Sequence, residues 1–166
     1  MRISTIYSGG YTHARSLDSA YHPSREWIRK FAGDIGYTIP KGMRICGENL
    51  YAKHSIKYTG LKSYFYGFSV WNDENVSLSW DDTLLNFELF GITPVPTLYR
   101  GVYDESIIKG LWDSSMRDRV EGYTCRLVEA IPYNAFQLSM AKYVRENHVQ
   151  TNDHWLTEAL VKNEIA

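Results

Sequence analysis

The sequence predicts an α+β fold built mainly on antiparallel sheets flanked by helices. Two observations carry that prediction. Strand-like runs outnumber helical ones, and the helical runs do not alternate with strands in the regular way that a parallel βαβ chain requires. A third supports it: the two longest helical stretches each carry apolar residues at helical spacing between start and stop signals, as helices packed on a sheet do.

Taken in order, "STIYSGGYTHARS" alternates around Ser8-Gly9-Gly10 and predicts a hairpin turning there; no Lys-Ser/Thr follows to make it a phosphate loop. "HPSREWIRKFAGDIG" sets Trp27, Ile28, Phe31 and Ile35 on one helical face, with Pro23 and Ser24 as start signals and Gly36 as a stop. "MRICGENLYA" and "SYFYGFSVWN" read as strands rich in Tyr, Phe, Ile and Val, separated by the polar "KHSIKYTGLK". "SWDDTLLNFELFG" offers Ser79 as an N-cap, acids in the first turn, and Leu84, Leu85 and Leu89 as an apolar stripe closed by Gly91. "PTLYRGVY" reads as a strand, "ESIIKGLWDSS" as a short helix, and "EGYTCRLVE" and "FQLSMAKYV" as strands.

No repeat, low-complexity tract or linker divides the chain, and 166 residues at 44% hydrophobic suffice for one sizeable core, so one domain over 1–166 is expected. The 18 Lys+Arg nearly balance the 19 Asp+Glu, which excludes a global field for nucleic acid or a membrane surface and leaves a local cluster to hold any polyanion. Cys46 and Cys125 lack metal-ligand spacing, and there is no secretory segment or long apolar span, so a reduced, soluble, cytoplasmic protein without a membrane partner is expected.

Two acids stand beside glycines at strand positions, Gly47-Glu48 and Glu121-Gly122. A glycine lets backbone or ligand come close, and the acid suits a ribose hydroxyl or a metal ion. Glu48 is the more demanding, since a carboxylate in mid-strand is costly to bury without a partner. Between the two acids, Phe65, Phe68 and Trp71 in "YFYGFSVW" offer flat faces to a base. Downstream, Lys142 and Arg145 in "MAKYVR" supply cations for phosphate oxygens. Singly, each has a blander reading, as a core aromatic, a turn acid or a solvated cation; their combination describes a nucleotide pocket. His148 and His154 beside Asp153 do not have the spacing of a structural zinc site, no nucleophile elbow is present, and Arg25, Arg29 and Lys30 read as the solvated side of their helix.

In order along the chain, "RICGENLYAKHSI", "SYFYGFSVW", "EGYTCR" and "AKYVRENHVQTNDHW" resemble motifs III, IIIa, IV and V of the ATP-dependent RNA ligases, covalent nucleotidyltransferases, particularly a phage and bacterial branch. "THARSLDSAYHPSREW" is similar to the segment after motif I. The resemblance implies a nucleotidyltransferase domain that binds ATP or AMP, Mg²⁺ and RNA ends. It assigns Glu48 to the ribose, Phe68 to stacking on adenine, Glu121 to the metal, Lys142 and Arg145 to the nucleotide phosphates, and Arg15 to a phosphate or the RNA end.

One departure is large: the family's nucleophilic lysine sits in Lys-x-Asp-Gly, and that motif occurs nowhere in this sequence. Without the amine, the first step, attack on the ATP α-phosphorus, has no nucleophile. Arg2 offers no lone pair, and Lys30, Lys53 and Lys57 lie in the wrong segments. Three readings stay open: a ligase whose motif I segment is missing from this chain, a nucleotide- or RNA-end-binding module that sequesters its ligand, and a scaffold for a protein partner. A missing strand would leave a sheet edge unpaired, with self-association or a segment supplied in trans as compensation.

Overall fold

The computed structural model describes residues 3–14, 22–146 and 160–166. Strands β1 (Ile3–Tyr7) and β2 (Thr12–Ala14) form the expected antiparallel hairpin around Ser8–Gly10. Helix α1 (Pro23–Ile35) begins at its Pro-Ser signal: the His22 ring caps it by accepting the Ser24 N–H at 3.2 Å and leaves Pro23 at the first helical position, where its missing N–H costs nothing.

Strands β3 (Arg44–Asn49) and β4 (Phe65–Trp71) pair antiparallel, followed by β5 (Val76–Ser77) and α2 (Trp80–Phe90). Ser79 caps α2 by accepting the Asp82 N–H at 3.1 Å, and Gly91 closes it. The leucine stripe does not face the core: Leu85 is 55% and Leu89 68% exposed, whereas Trp80, Thr83, Phe87 and Phe90 are buried. Both sets satisfy helical spacing, and the side that buries three aromatic rings removes more apolar area from water.

Beyond α2 lie β6 (Thr93–Pro94), α3 (Glu105–Gly110), β7 (Gly122–Arg126), β8 (Ile131–Pro132), α4 (Phe136–Ser139) and β9 (Met140–Val144). Residues 96–103 carry no strand, contrary to the reading of "PTLYRGVY"; Pro94 and Pro96 supply no ladder N–H, so pairing stops after β6. Only the second half of "FQLSMAKYV" is strand, its first four residues being α4.

Among the described residues the main sheet runs β2-β1-β3-β4-β5-β8, with β6 parallel to β4, and β7 and β9 form a separate antiparallel pair. One face of the main sheet is the core: Ile6, Ile45, Phe65 and Val70 pack under Ile28 and Ala32 of α1 and Phe87 and Phe90 of α2. Asn49 points to this side, where its Nδ2 donates to the Ser24 carbonyl at 2.8 Å and fastens the end of β3 to the start of α1. Gly47 lies there too. A Cβ on it would run into the Phe65 ring and stand 2.6 Å from the Tyr66 carbonyl oxygen, so the close approach foreseen for this glycine is made by the protein itself.

Candidate functional site

The opposite face of the main sheet carries the candidate residues. By register, Thr5, Cys46 and Glu48 share it, since Thr5 pairs with Cys46 and Glu48 with Ile3 and Tyr66. The pairing slips between Cys46 and Gly47: Cys46 meets Ser69 and Gly47 meets Gly67, which leaves Phe68 as the extra residue of a β-bulge. Phe68, as the extra residue, has no partner on β3; it is half-buried and lies outside the core cluster.

The other two aromatics proposed as base platforms are elsewhere. Phe65 is fully buried in the core. Trp71 is buried by a T-shaped contact with Tyr133 (6.1 Å between centroids) and a tilted one with Phe136 (5.3 Å), with the Arg44 guanidinium 4.9 Å from its ring and its Nε1–H donated to Ser69 at 3.0 Å. Of the three, Phe68 alone keeps a face toward solvent.

The second sheet brings the acid and the cations. Glu121 immediately precedes β7, and its carbonyl accepts the Arg145 N–H at 2.9 Å, so the two residues prolong the β7–β9 ladder past the Gly122–Val144 pair. Gly122 is required there, since any Cβ would run into the Tyr143 carbonyl oxygen. Arg145 is buried, 4% exposed, and Lys142 stands exposed on β9 opposite Thr124. Contacts tie this sheet to the rest: Arg126 donates to the Leu78 carbonyl at 2.9 Å, and the Ser55 hydroxyl donates to the Glu121 carboxylate.

Sequence reasoning passed over the residue at which these groups meet. Tyr58, in the polar connection 50–64, has its phenol pushed up to about 12, first by burial, then by the carboxylates of Glu121 and Glu48, against the pull of the Arg145 guanidinium. Two acids and a buried arginine thus act electrostatically on one phenol. Burial pushes the thiol of Cys46, on the same face, up against the pull of hydrogen bonds with Thr5 and Ser69 and of the Arg44 charge, which disfavours its thiolate. The length of the 50–64 connection was the one available signal, since structureless loops beyond about 12–15 residues are commonly functional.

A prediction follows from the sign of the Tyr58 shift. The folded chain keeps the phenol proton after the unfolded chain, with its ordinary value of 10.0, has released it. The contribution is therefore intact below pH 10 and lost as pH rises through about 12. Denaturant-unfolding stability should fall more steeply over that window in the wild type than in Tyr58→Phe; parallel profiles would remove the phenol from between the carboxylates.

A family model described as RNA ligase matches residues 1–144. The chain belongs to the RNA ligase family. No curated protein and no solved structure matches it. RNA ligases generally use ATP and Mg²⁺, and the α+β architecture with mostly antiparallel sheets is consistent with the family's nucleotidyltransferase domain. The matched span contains Glu48, Phe68, Glu121 and Lys142 and ends one residue short of Arg145. Arg15 and the trio His148, Asp153 and His154 lie outside the described residues. Among the described residues no three His, Cys, Asp or Glu side chains gather into a metal cluster, and no helix is long and apolar enough to cross a membrane. A single carboxylate beside a nucleotide is nonetheless a usual arrangement for Mg²⁺, which takes one or two protein oxygens and completes its shell with phosphates and water.

Proposed function

We propose that this RNA ligase family chain, as one nucleotidyltransferase domain over 1–166, binds ATP or AMP and an RNA end at the face carrying Glu48 and Phe68, and does not adenylate itself. The observation that carries the reading is the RNA ligase family match over residues 1–144, which takes in Glu48, Phe68, Glu121 and Lys142; the electrostatic action of Glu48, Glu121 and Arg145 on the Tyr58 phenol supports it. In this reading Phe68 stacks under the adenine, because a half-buried ring on a bulge presents its face without leaving the sheet. Glu48 accepts from a ribose hydroxyl. Arg145 supplies a planar fork to phosphate oxygens, Lys142 a mobile point charge, and Arg15 a further cation for phosphate or the RNA end. Glu121, already oriented by Ser55, offers carboxylate oxygen to Mg²⁺, which when bound neutralises phosphate charge. A reduced, cytoplasmic setting suits the free thiols of Cys46 and Cys125.

The absence of Lys-x-Asp-Gly favours a second reading on the same pocket, a module that sequesters a nucleotide or RNA end without chemistry. A lysine-bearing segment supplied in trans would favour the first; a second copy pairing at the β2 edge would cover that edge and bring no such lysine.

Glu121→Gln tests the metal assignment, since it removes the charge and keeps both shape and an acceptor for Ser55. ATP affinity at saturating Mg²⁺ should fall by about 1.5–3 kcal/mol, the range for a bond to a charged group, and the Mg²⁺ dependence of binding should flatten. Isothermal titration across Mg²⁺ concentrations measures both. An unaltered Mg²⁺ dependence would take Glu121 out of the metal's reach.

A further inference from the structure

The segment 160–166 lies beyond the family match and is bound to the connection 50–64 along its length. Its centre is Asn163, 2% exposed, which uses every polar group it has. Oδ1 accepts the Tyr58 N–H at 2.9 Å, Nδ2 donates to the Leu50 carbonyl at 2.8 Å, the backbone N–H donates to the Tyr51 carbonyl at 3.1 Å, and the backbone carbonyl accepts the Tyr64 hydroxyl at 3.1 Å. On either side, the Lys53 N–H donates to the Val161 carbonyl at 2.7 Å and the Glu164 N–H to the Tyr58 carbonyl at 3.0 Å. The Lys162 ammonium sits 4.9 Å from the Tyr51 ring and 5.0 Å from that of Tyr64, and Lys57 pairs with Glu164 at 2.6 Å.

These bonds grip the connection at Leu50, Tyr51, Lys53, Tyr58 and Tyr64, on both sides of Ser55, whose hydroxyl holds the Glu121 carboxylate. A loop of that length has many arrangements of its own, and those bonds select one. We propose that Asn163 is a positioning residue for Glu121: by fixing the backbone at Leu50 and Tyr58 it sets Ser55 where its hydroxyl orients the carboxylate for Mg²⁺-nucleotide. The inference rests on the metal reading of Glu121 above, and reaches a residue that the family match does not include.

The test is the Mg²⁺ concentration at half-maximal ATP binding by the full chain, read alongside ATP affinity in EDTA. Ser55→Ala should raise the Mg²⁺ midpoint on the order of 10-fold, the effect of losing a partner that orients a metal ligand. Asn163→Ala should raise it similarly, with affinity in EDTA unchanged, which a general loss of structure would not spare. The double variant should go no further than Asn163→Ala alone, because one residue acts through the other. If Asn163→Ala does not fold, Tyr64→Phe deletes only the hydroxyl on the Asn163 carbonyl and should shift the midpoint in the same direction. A shift in Ser55→Ala alone, or additive shifts in the double variant, overturns the inference and leaves the metal reading standing. A wild type whose ATP binding ignores Mg²⁺ overturns both.

Discussion

Incubated with radiolabelled ATP and Mg²⁺, the purified chain should form no covalent lysyl adenylate and should seal neither nicked nor single-stranded RNA. The chemistry needs a neutral amine in line with the α-phosphorus, so that a nitrogen–phosphorus bond forms as the bond to pyrophosphate breaks. No Lys-x-Asp-Gly supplies it. The stand-ins are poorly placed: Lys30 lies exposed on α1, Lys53 is exposed beside the 160–166 segment, and Lys57 is ion-paired with Glu164 at 2.6 Å. A cation such as Lys142, if held at the nucleotide as proposed, would stabilise a leaving pyrophosphate, but electrostatic help does not replace a nucleophile. RNA already carrying a 5′-adenylate bypasses the missing step, leaving only attack by the 3′-hydroxyl. Weak sealing of that substrate is the result expected of a ligase pocket without its lysine, whereas tight nucleotide binding with no sealing marks the sequestering module. Acid-labile label on the protein after ATP alone would sink the prediction, and mapping it to a lysine would name the surrogate.

What the sequence disclosed follows how local each signal is. The α2 boundaries were legible because Ser79 and Gly91 act within one turn of the residues they cap. Its buried side was not, since two sets of apolar residues fit the same period and only the sheet decides between them. Glu48 and Glu121 stood out in the sequence for the glycines beside them, but what those glycines admit is protein, Phe65 at Gly47 and the Tyr143 backbone at Gly122. In β4 the alternation misleads. The bulge resets the period after Phe68, so Val70 faces the core, while Trp71 stands on the site face and is covered there by Tyr133 and Phe136. Tyr58, Ser55 and Asn163 had no periodic signal, because their positions are set by hydrogen bonds between segments as distant as residues 58 and 163. Those bonds exist only once the chain has folded.

Phe65 in the core and Phe68 at the bulge call for opposite kinds of variant effect, and this is the second large effect expected. Phe65→Ala should cost about 3–5 kcal/mol of folding stability, the range for a fully buried ring. It empties a site lined by Gly47, by the Phe31 ring 5.7 Å away, and by the rest of the core beneath α1 and α2. Phe68→Ala, three residues on, removes a half-buried ring outside the core cluster and should cost little stability. Its cost should appear in binding, with ATP or AMP affinity weakened by about 1–3 kcal/mol, the value of stacking one base on an aromatic side chain. Chemical denaturation and calorimetric titration on the two variants give four numbers, and the reading requires them to cross: stability lost at Phe65 and affinity lost at Phe68. Wild-type affinity in a folded Phe68→Ala variant would deny this ring the adenine. Wild-type stability in Phe65→Ala would mean that this ring does not fill the core, and the face proposed for the nucleotide would have to be reassigned with it.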